Sequence, residues 1–349
     1  WNSAQTVTVT GVNDNLVDGT INSTITVAVK DDSSDNNFDP VADQTVSVST
    51  VDNDTAGFTI TETGGSTAVA ETGTTDTFAV VLTAQPSSNV VLSITSGDTG
   101  EAVVNGSTAS NNILTFTSGN WNTPQSFTVT GVDDNLVDGT ITSTLTVAVV
   151  DALSDDSFDA VADQTVSATT TDNDTAGFTV AQSGGSTSVS EAGTTDTFTV
   201  VLSAQPTSDV VITITSSDTG EATVNSPLTF TPANWNSAQT VTVTGVDDNI
   251  IDGTITSTLT ISVVDALSDD DFDGVANQTV STTTTDNDTA GFTIVQSGGS
   301  TSVAESGTTD TFTIVLDAQP ASNVVLTVTS SDTGEATVNS PLTFTAANW

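Results

Sequence analysis

The chain is built from a repeating unit of 114 to 120 residues, and this repeat limits the folds that are open to it. Tryptophan recurs at positions 1, 121, 235 and 349, and the tripeptide Asp-Asn-Asp recurs at 52–54, 172–174 and 286–288. The first period is six residues longer than the next, and the excess lies in one segment, 101–113. An insertion confined to one segment is typical of a constant scaffold with tolerant loops.

The register of the repeat divides the chain into four segments. Residues 1–54 are predicted to be the C-terminal half of a repeat, 55–174 and 175–288 complete repeats, and 289–349 the N-terminal half of a repeat. Asp174 and Phe178 are only four positions apart, so the joint between repeats should bend less than a Gly/Ser-rich linker. We expect the sequence to be a window on a longer array, with any export signal and anchor encoded elsewhere.

Short alternating segments separated by turn residues run through each repeat. In the repeat 175–288, seven strands are predicted around residues 178–180, 198–202, 210–214, 228–230, 241–243, 259–263 and 279–285. About seven strands without a helical stretch are typical of an immunoglobulin-like β-sandwich, and a repeat of this size can bury its own core. The sequence therefore predicts an all-β chain of tandem sandwiches arranged end to end as a rod.

The composition excludes several classes of function. The chain has 44 acidic residues against a single basic one, Lys30, which gives a net charge of −43. Nucleic acids and anionic membranes would repel such a chain, and no apolar run approaches the ~18–20 residues of a membrane span. With no Cys and no His, disulfides, thiolate and imidazole metal sites and a histidine base are excluded. Hard cations such as calcium remain as partners.

The acidic residues fall at four loop positions that recur in each repeat. In 175–288 they are Glu191, Asp218, Asp247, Asp248, Asp252, Asp286 and Asp288; in 55–174 they are Glu71, Asp98, Asp133, Asp134, Asp138, Asp172 and Asp174. The two half-repeats carry Asp14, Asp18, Asp52 and Asp54, and Glu305 and Asp332, respectively. Residues i and i+2 of an extended segment face the same way, so Asp286 and Asp288 can present their carboxylates together.

Several ordered motifs of the chain resemble the Calx-β repeat. They are Leu228-Thr-Phe-Thr-Pro, Thr240-Val-Thr-Val-Thr-Gly-Val-Asp-Asp-Asn and Asp286-Asn-Asp, and the resemblance covers every repeat. It implies that the recurrent acids jointly bind calcium at one end of each sandwich. The chain departs from the family at Asp252, where a Glu is usual, and at Asn287, the middle of the closing triplet. The first half-repeat reads Asn13-Asp14 in place of the Asp pair, which implies fewer or weaker ions there.

The physical chemistry of carboxylates supports the same cofactor, Ca²⁺. Carboxylates held within ~4–6 Å of one another cannot all stay ionised unless a cation lies among them. Calcium accepts 6–8 oxygen ligands in loose geometry, which loops and backbone carbonyls can supply. The spacing of Asp247, Asp248 and Asp252 is not that of an EF-hand. The alternative is that these acids form only a solvated, solubilising face.

A second acidic segment lies between the sixth and seventh predicted strands. It reads Asp265-Ala-Leu-Ser-Asp-Asp-Asp-Phe-Asp-Gly and is matched by residues 151–159 and 31–39. One interpretation is a further ion site; the other is a solvated turn anchored by Phe272.

The sequence predicts a calcium-stiffened structural spacer of a long, secreted bacterial surface adhesin or filament protein, located outside the cell. Extracellular modules bind calcium at ~10⁻⁴–10⁻³ M, which suits that location. The alternative is a subunit of a laterally packed surface layer or multi-chain filament, with cations bridging neighbours. Catalysis by paired carboxylates is not expected, because the same acids recur in every repeat without long loops to build a cleft.

Overall fold

The computed structural model describes residues 2–104 and 112–349. Trp1 and residues 105–111, which include most of the predicted insertion, lie outside the described residues. In the part described, the chain is all-β, with only short 3-10 turns between strands. No helix in this part combines the length and the hydropathy of a transmembrane span.

The strands follow the repeat. Residues 1–54 contain β1 (Ile21–Val27) and β2 (Gln44–Thr50). Residues 55–174 contain β3 (Phe58–Glu62), β4 (Thr67–Ala70), β5 (Thr75–Leu82), β6 (Val90–Ser96), β7 (Ala102–Val104), β8 (Ile113–Phe116), β9 (Gln125–Gly131), β10 (Thr140–Val149) and β11 (Gln164–Thr171). Residues 175–288 contain β12 (Phe178–Gln182), β13 (Thr187–Ser190), β14 (Thr195–Leu202), β15 (Val210–Ser216), β16 (Ala222–Val224), β17 (Leu228–Phe230), β18 (Gln239–Gly245), β19 (Ile255–Val263) and β20 (Gln278–Thr285). Residues 289–349 contain β21 (Phe292–Gln296), β22 (Phe312–Leu316), β23 (Val324–Leu326) and β24 (Leu342–Phe344).

The 3-10 turns also recur with the repeat. They are η1 (Asp31–Ser33), η2 (Thr63–Gly65), η3 (Asp151–Leu153), η4 (Asp156–Phe158), η5 (Ser183–Gly185), η6 (Asp265–Leu267), η7 (Asp270–Phe272) and η8 (Ser297–Gly299).

Two sheets form the sandwich of residues 175–288. One has the strand order β12-β14-β18-β16, and the other has the order β13-β20-β19-β15-β17. Neighbouring strands are antiparallel except β13 and β20, which pair in parallel. The strands of 55–174 repeat this topology, as β3-β5-β9-β7 and β4-β11-β10-β6-β8. The predicted all-β sandwich is confirmed, and each complete repeat has two short strands that were not predicted, such as β13 and β16.

Each complete repeat has its own apolar core because the inward residues of both sheets alternate with polar ones. In β14, for example, Phe198, Val200 and Leu202 are buried, and they pack in one cluster with Phe230 and Phe272. The equivalent cluster of residues 55–174 includes Phe78 and Phe127, whose ring centroids are 5.6 Å apart. Burying one such side chain stabilises the fold by roughly 1.5–3 kcal/mol.

The chain separates into two compact units. One contains Trp1–Asp134 and Gly139–Asn173, and the other contains Asn135–Asp138 and Asp174–Trp349. Each unit therefore joins one complete repeat to a half-repeat. The four-segment boundaries and the end-to-end arrangement stay predictions.

Candidate metal site

The strand order of the sandwich brings distant acids to one end of it. Glu191 directly follows β13 and Asp286 directly follows β20, and because these strands are parallel, their C-terminal ends meet at the same edge. In the other sheet, the end of β18 lies opposite the start of β16, with Gly245 paired to Ala222. Glu221 precedes that pair in the chain, and Asp247 and Asp248 follow it.

A close contact between the two sheets fixes this edge. A Cβ atom on Gly245 would clash with the carbonyl of Ser190, so only glycine allows β18 to pass so close to the end of β13. The backbone then continues directly into the acidic loop: the N–H of Gly245 donates to the carbonyl of Thr194 at 3.1 Å, and the N–H of Val246 donates to that of Glu221 at 2.9 Å.

Five carboxylates of this repeat form two closely spaced groups that share Glu191. Oxygens of Glu191, Glu221 and Asp252 lie within 4.8 Å of one another, and so do oxygens of Glu191, Asp286 and Asp288. Glu191 is only 1% exposed and Glu221 only 6% exposed. This density of buried negative charge is costly without a compensating cation.

Two of these oxygens have no hydrogen-bond donor. Among the described residues, Oε2 of Glu221 and Oδ2 of Asp288 are buried and have no hydrogen-bond partner. Buried polar atoms in native proteins are nearly always hydrogen-bonded, so each of these two oxygens calls for a partner such as a water molecule or a cation. All the side-chain atoms that could bind a metal here are oxygens, and several of them are anionic. Calcium prefers ligands of this kind.

The protonation equilibria of the two buried glutamates reflect the same crowding. Burial raises the pKa of Glu191, and the charges of Asp286, Asp248 and Asp252 raise it further against one opposing hydrogen bond from the N–H of Asn287. Burial also raises the pKa of Glu221, with additional repulsion from Asp252, Glu191 and Asp218. In the absence of a cation, both carboxyl groups resist ionisation.

The three aspartates of the two groups differ among themselves. Desolvation raises the pKa of Asp252, helped by the charges of Asp248 and Asp286. Desolvation likewise raises the pKa of Asp288. The pKa of Asp286 is instead lowered, because its carboxylate accepts hydrogen bonds from the N–H groups of Gly253, Asp288 and Asp252. Nearby backbone N–H groups therefore already stabilise the ionised form of the Asp286 carboxylate.

Asn287, the middle residue of the closing Asp-Asn-Asp triplet, has a structural role. Its N–H donates to Oε2 of Glu191 at 3.1 Å, and its side-chain Nδ2 donates to Oδ1 of Asp247 at 2.8 Å. A neutral amide here holds two acids in place, whereas an Asp would add another negative charge.

Three of the predicted acids lie outside the closely spaced groups: Asp247, which accepts from Asn287, and Asp218 and Asp248. Oδ1 of Asp218 accepts from the N–H of Gly220 at 2.9 Å, and Oδ1 of Asp248 accepts from the N–H of Ile250 at 2.6 Å. The charges of Asp218 and Asp248 also raise the pKa of Glu221, and that of Asp248 raises the pKa of Glu191. Glu221 was not predicted as a site residue, although a Glu recurs at its position, as Glu101 and Glu335.

The preceding repeat has a similar group, in which Asp134, the counterpart of Asp248, takes the place that Asp252 has in the later repeat. Oxygens of Glu71, Glu101 and Asp134 lie within 4.8 Å of one another. The N–H and Nδ2 of Asn173 donate to Glu71 at 3.1 Å and to Asp133 at 2.7 Å. Two further predicted acids accept backbone hydrogen bonds: Asp98 from the N–H of Gly100 at 3.0 Å and Asp172 from the N–H of Gly139 at 2.9 Å. Asp138 and Asp174 belong to the other compact unit. They correspond in sequence to Asp252 and Asp288.

The half-repeats hold separate parts of the same acid set. In residues 1–54, Asp52 accepts from the N–H groups of Asp18, Gly19 and Asp54, which lowers its pKa, and Asp14 accepts from that of Leu16. In residues 289–349, Glu305 and Asp332 are exposed, and Asp332 accepts from the N–H of Gly334 at 2.9 Å.

The second acidic segment has the geometry of an anchored turn. Asp269 is buried and accepts from the hydroxyl of Thr207 at 2.6 Å and from the N–H groups of Ser208 at 2.7 Å and Asp271 at 3.1 Å. Burial opposes ionisation of this carboxyl, but the hydrogen bonds outweigh it and lower its pKa. At the equivalent Asp155 the same balance lowers the pKa to about 2. With Phe272 fully buried beneath the turn, Asp269 is satisfied by the protein itself, which favours the turn interpretation over an ion site.

The loop that carries Asp248 and Asp252 also contacts the next repeat. Ile250 forms an isolated parallel bridge with Gln319, whose N–H donates to the carbonyl of Asn249 at 2.7 Å. In the other compact unit, Leu16 pairs with Gln85 in the same way. Backbone hydrogen bonds thereby join the acidic loop directly to residues 289–349.

No protein-family model matches this sequence, and no curated protein matches it significantly. Among similar solved structures is the calcium-binding domain CBD12 of CALX1.1, at 12% identity and a TM-score of 0.24, covering 58% of this chain and 80% of that one. Titin Ig tandem domains A164-A165 match at 9% identity and a TM-score of 0.24, with coverages of 67% and 98%. Domains 4-9 of the surface layer protein SbsC match at 17% identity and 0.22, with coverages of 73% and 35%. Similarities this low carry no functional argument.

Proposed function

We propose that this chain is a calcium-stiffened structural spacer of a long, secreted bacterial surface adhesin or filament protein, built from Calx-β-like repeats. The observation that carries the proposal is the pair of carboxylate groups around Glu191, in which Oε2 of Glu221 is buried without a hydrogen-bond donor. Calcium bound there joins strand ends from both sheets. The role is mechanical, and no catalysis is expected from acids that recur in each repeat.

The contact between Ile250 and Gln319 supports the stiffening part of the proposal. Ile250 lies between Asp248 and Asp252 in one short loop, so an ion that orders this loop also orders the surface on which the next repeat rests. Without calcium, repulsion among the acids loosens the loop and, with it, the junction.

Thermal unfolding of the full chain in millimolar calcium and in EGTA tests the calcium site. A ligand at a hundred times its Kd stabilises the folded state by about 2.7 kcal/mol, so calcium should raise the Tm by roughly 5–10 °C. The double substitution Asp286→Asn and Asp288→Asn should reduce this rise, whereas Asp209→Asn, at an exposed acid of the same repeat, should preserve it. Equal melting curves in calcium and EGTA would refute the proposal.

Amide hydrogen exchange gives stiffening a readout of its own. Calcium should slow exchange of the Gln319 amide, which donates across the junction. The Ser203 amide, which donates to Gly177 at 2.9 Å within one repeat, is the matched control and should change less. Equal slowing at both amides would mean that calcium stabilises repeats without stiffening their junction.

A further inference from the structure

Three Asp-Gly pairs lie in the complete repeats, at 138–139, 252–253 and 273–274. An aspartate in such a pair can react with its own backbone, because glycine has no Cβ to hinder the approach of its nitrogen to the carboxyl group. The first two pairs belong to the acidic loops of the candidate metal sites, whereas the third directly follows the turn η7. These two surroundings have opposite effects on the reaction.

In both acidic loops the glycine nitrogen is held by a hydrogen bond. The N–H of Gly253 donates to Oδ2 of Asp286 at 2.9 Å, and the N–H of Asp252 donates to the same oxygen at 3.1 Å. In the preceding repeat, the N–H of Gly139 donates to Oδ2 of Asp172 at 2.9 Å. The nitrogen must lose its proton to attack a carboxyl group, and a charge-assisted hydrogen bond to a carboxylate keeps the proton on the nitrogen.

The nitrogen of Gly274 has no such restraint. Its N–H donates no hydrogen bond to any of the described residues. A Cβ atom at Gly274 would meet nothing within 4 Å, and both Asp273 and Gly274 are exposed. This pair therefore has the free nitrogen and the open space that closure of a small ring requires.

The protonation state of Asp273 favours the same reaction. Desolvation raises the pKa of its carboxyl group, and the charges of Asp265, Asp270 and Asp269 raise it further. The protonated carboxyl is the reactive form, because its hydroxyl can leave as water.

The preceding repeat has the equivalent turn without the glycine. Asp159 follows η4 as Asp273 follows η7, and the next residue is Ala160. Desolvation and the charges of neighbouring acids raise the pKa of Asp159 as well. The two pairs thus differ at the attacking residue, where the methyl group of Ala160 hinders the approach that Gly274 permits.

We propose that Asp273 is a modification site, at which the folded chain isomerises spontaneously to isoaspartate. The nitrogen of Gly274 bonds to Cγ of Asp273 and loses its proton, while the protonated carboxyl loses its hydroxyl, so one water molecule leaves and a cyclic succinimide remains. Water then opens the ring. Attack on the former side-chain carbonyl restores aspartate, and attack on the backbone carbonyl gives isoaspartate. The water taken up balances the water lost, and the step requires no oxidant, reductant or cofactor.

The modification would lengthen the backbone inside a hydrogen-bonded turn. The N–H of Val275 donates to the carbonyl of Phe272 at 3.1 Å, so the bond between Asp273 and Gly274 lies within the ring that this hydrogen bond closes. Val275 also packs against the core of residues 175–288. Isoaspartate adds one carbon atom to this ring and should break the hydrogen bond.

Incubation of the full chain for several weeks in EGTA tests the proposal independently of calcium. With heavy-oxygen water as solvent, each isoaspartate formed through the ring carries one heavy oxygen atom. Site-resolved mass spectrometry should find several times more labelled isoaspartate at Asp273 than at Asp138, Asp252 or Asp159. An unmodified Asp273, or equal modification at Asp252, overturns the proposal.

The same incubation in urea shows whether the fold directs the reaction. In the unfolded chain, Asp138, Asp252 and Asp273 should react at similar rates, because their hydrogen bonds are gone. If Asp273 still reacts several times faster than the other two, the local sequence selects it and the structural argument is wrong. Gly274→Ala should reduce the reaction at Asp273 to the level of Asp159, and an unchanged rate in this variant would refute the ring closure.

Hydrogen exchange measures the structural consequence in the aged chain. The Val275 amide should exchange faster in molecules that carry isoaspartate. The Val161 amide, which donates to Phe158 at 3.0 Å in the turn without glycine, is the matched control and should keep its rate. Equal exchange of Val275 before and after modification contradicts the predicted loss of its hydrogen bond.

Discussion

Glu221 is the residue at which folding and ion binding oppose each other most directly. Its carboxylate is buried, one of its oxygens has no hydrogen-bond donor, and Asp252, Glu191 and Asp218 repel its charge. In the metal-free protein this charge is destabilising, whereas at the proposed calcium site the same charge would be a ligand. The proposed metal site and a solvated acidic face therefore predict different effects of removing the charge of Glu221.

Glu221→Gln should therefore raise the Tm in EGTA and reduce the further rise in Tm that calcium produces. In EGTA the variant should melt at a higher temperature than the unmodified chain, because a buried, repelled charge is gone. In calcium it should gain less than the unmodified chain, because one ligand is weaker. Differential scanning calorimetry in both buffers measures the two shifts, with Asp209→Asn as the control at an exposed acid. If Glu221→Gln lowers the Tm in EGTA, the crowding argument is wrong.

The turn over η6 and η7, for which the sequence allowed two interpretations, is held in place by one hydrogen-bonded acid. Asp269 accepts from the residues that precede β15, Thr207 and Ser208, and thereby ties this turn to the start of that strand. In the preceding repeat, Asp155 does the same through Ser87 and Ser88. The acidity of the turn thus serves folding at one position and leaves the other acids in solvent.

This anchor should appear as a pH dependence of stability. Burial opposes ionisation of Asp155, but its hydrogen bonds outweigh that effect and lower its pKa from 3.8 to about 2. Because the pKa is lower in the folded state, the stabilisation is complete above pH 3.8 and is lost as the pH falls towards about 2. Asp155→Asn should cost about 1–3 kcal/mol at neutral pH, and the difference from the unmodified chain should shrink through that window.

Urea unfolding in EGTA at a series of pH values, followed by circular dichroism, measures the difference. Asp163→Asn, at an exposed acid of the same repeat, is the control and should leave the stability unchanged across the series. A constant difference between Asp155→Asn and the unmodified chain from neutral pH to pH 2 would mean that the carboxylate of Asp155 does not anchor the turn.

Strands and site were predictable to different extents. Period-two alternation located the long strands because residues such as Phe198, Val200 and Leu202 repeat on one face. It missed β13 and β16, which have only four and three residues and exist through their pairing with β20 and β18. A local pattern cannot report a strand that is stabilised mainly by partners distant in the chain.

The acids show the same limit. Their recurrence in loops located most of the carboxylates that meet, such as Glu191 and Asp286. Glu221 was missed because it is a single acid beside the more conspicuous Asp218, and only the crossing of β16 and β18 shows which of the two faces the cluster. Sequence gives the residue types of such a site, whereas the pairing of strands selects among neighbours.

The charge of the whole molecule controls its response to ions. The chain carries a net charge of −43, and in the described residues the one ion pair, between Lys30 and Asp32 at 3.7 Å, is exposed. Repulsion among so many acids destabilises the compact state. Monovalent salt screens charges beyond about 10 Å at 0.1 M, but it screens buried pairs much less. Diffuse repulsion and the clustered carboxylates should consequently respond to different ions.

In EGTA, raising sodium chloride from about 0.01 M to about 0.5 M should raise the Tm gradually, because salt shortens the range of surface repulsion. Calcium at low millimolar concentration should add a further rise that sodium chloride at matched ionic strength does not reproduce, because only calcium replaces the missing donors at Glu221 and Asp288. Magnesium is the matched control: it has the same charge but demands strict octahedral geometry and retains its waters, so its effect should lie closer to that of sodium. Melting curves in the three salts separate the two contributions. If magnesium and calcium act equally, the acids respond to charge alone, and the chain is a polyanion whose carboxylate groups have no selective site.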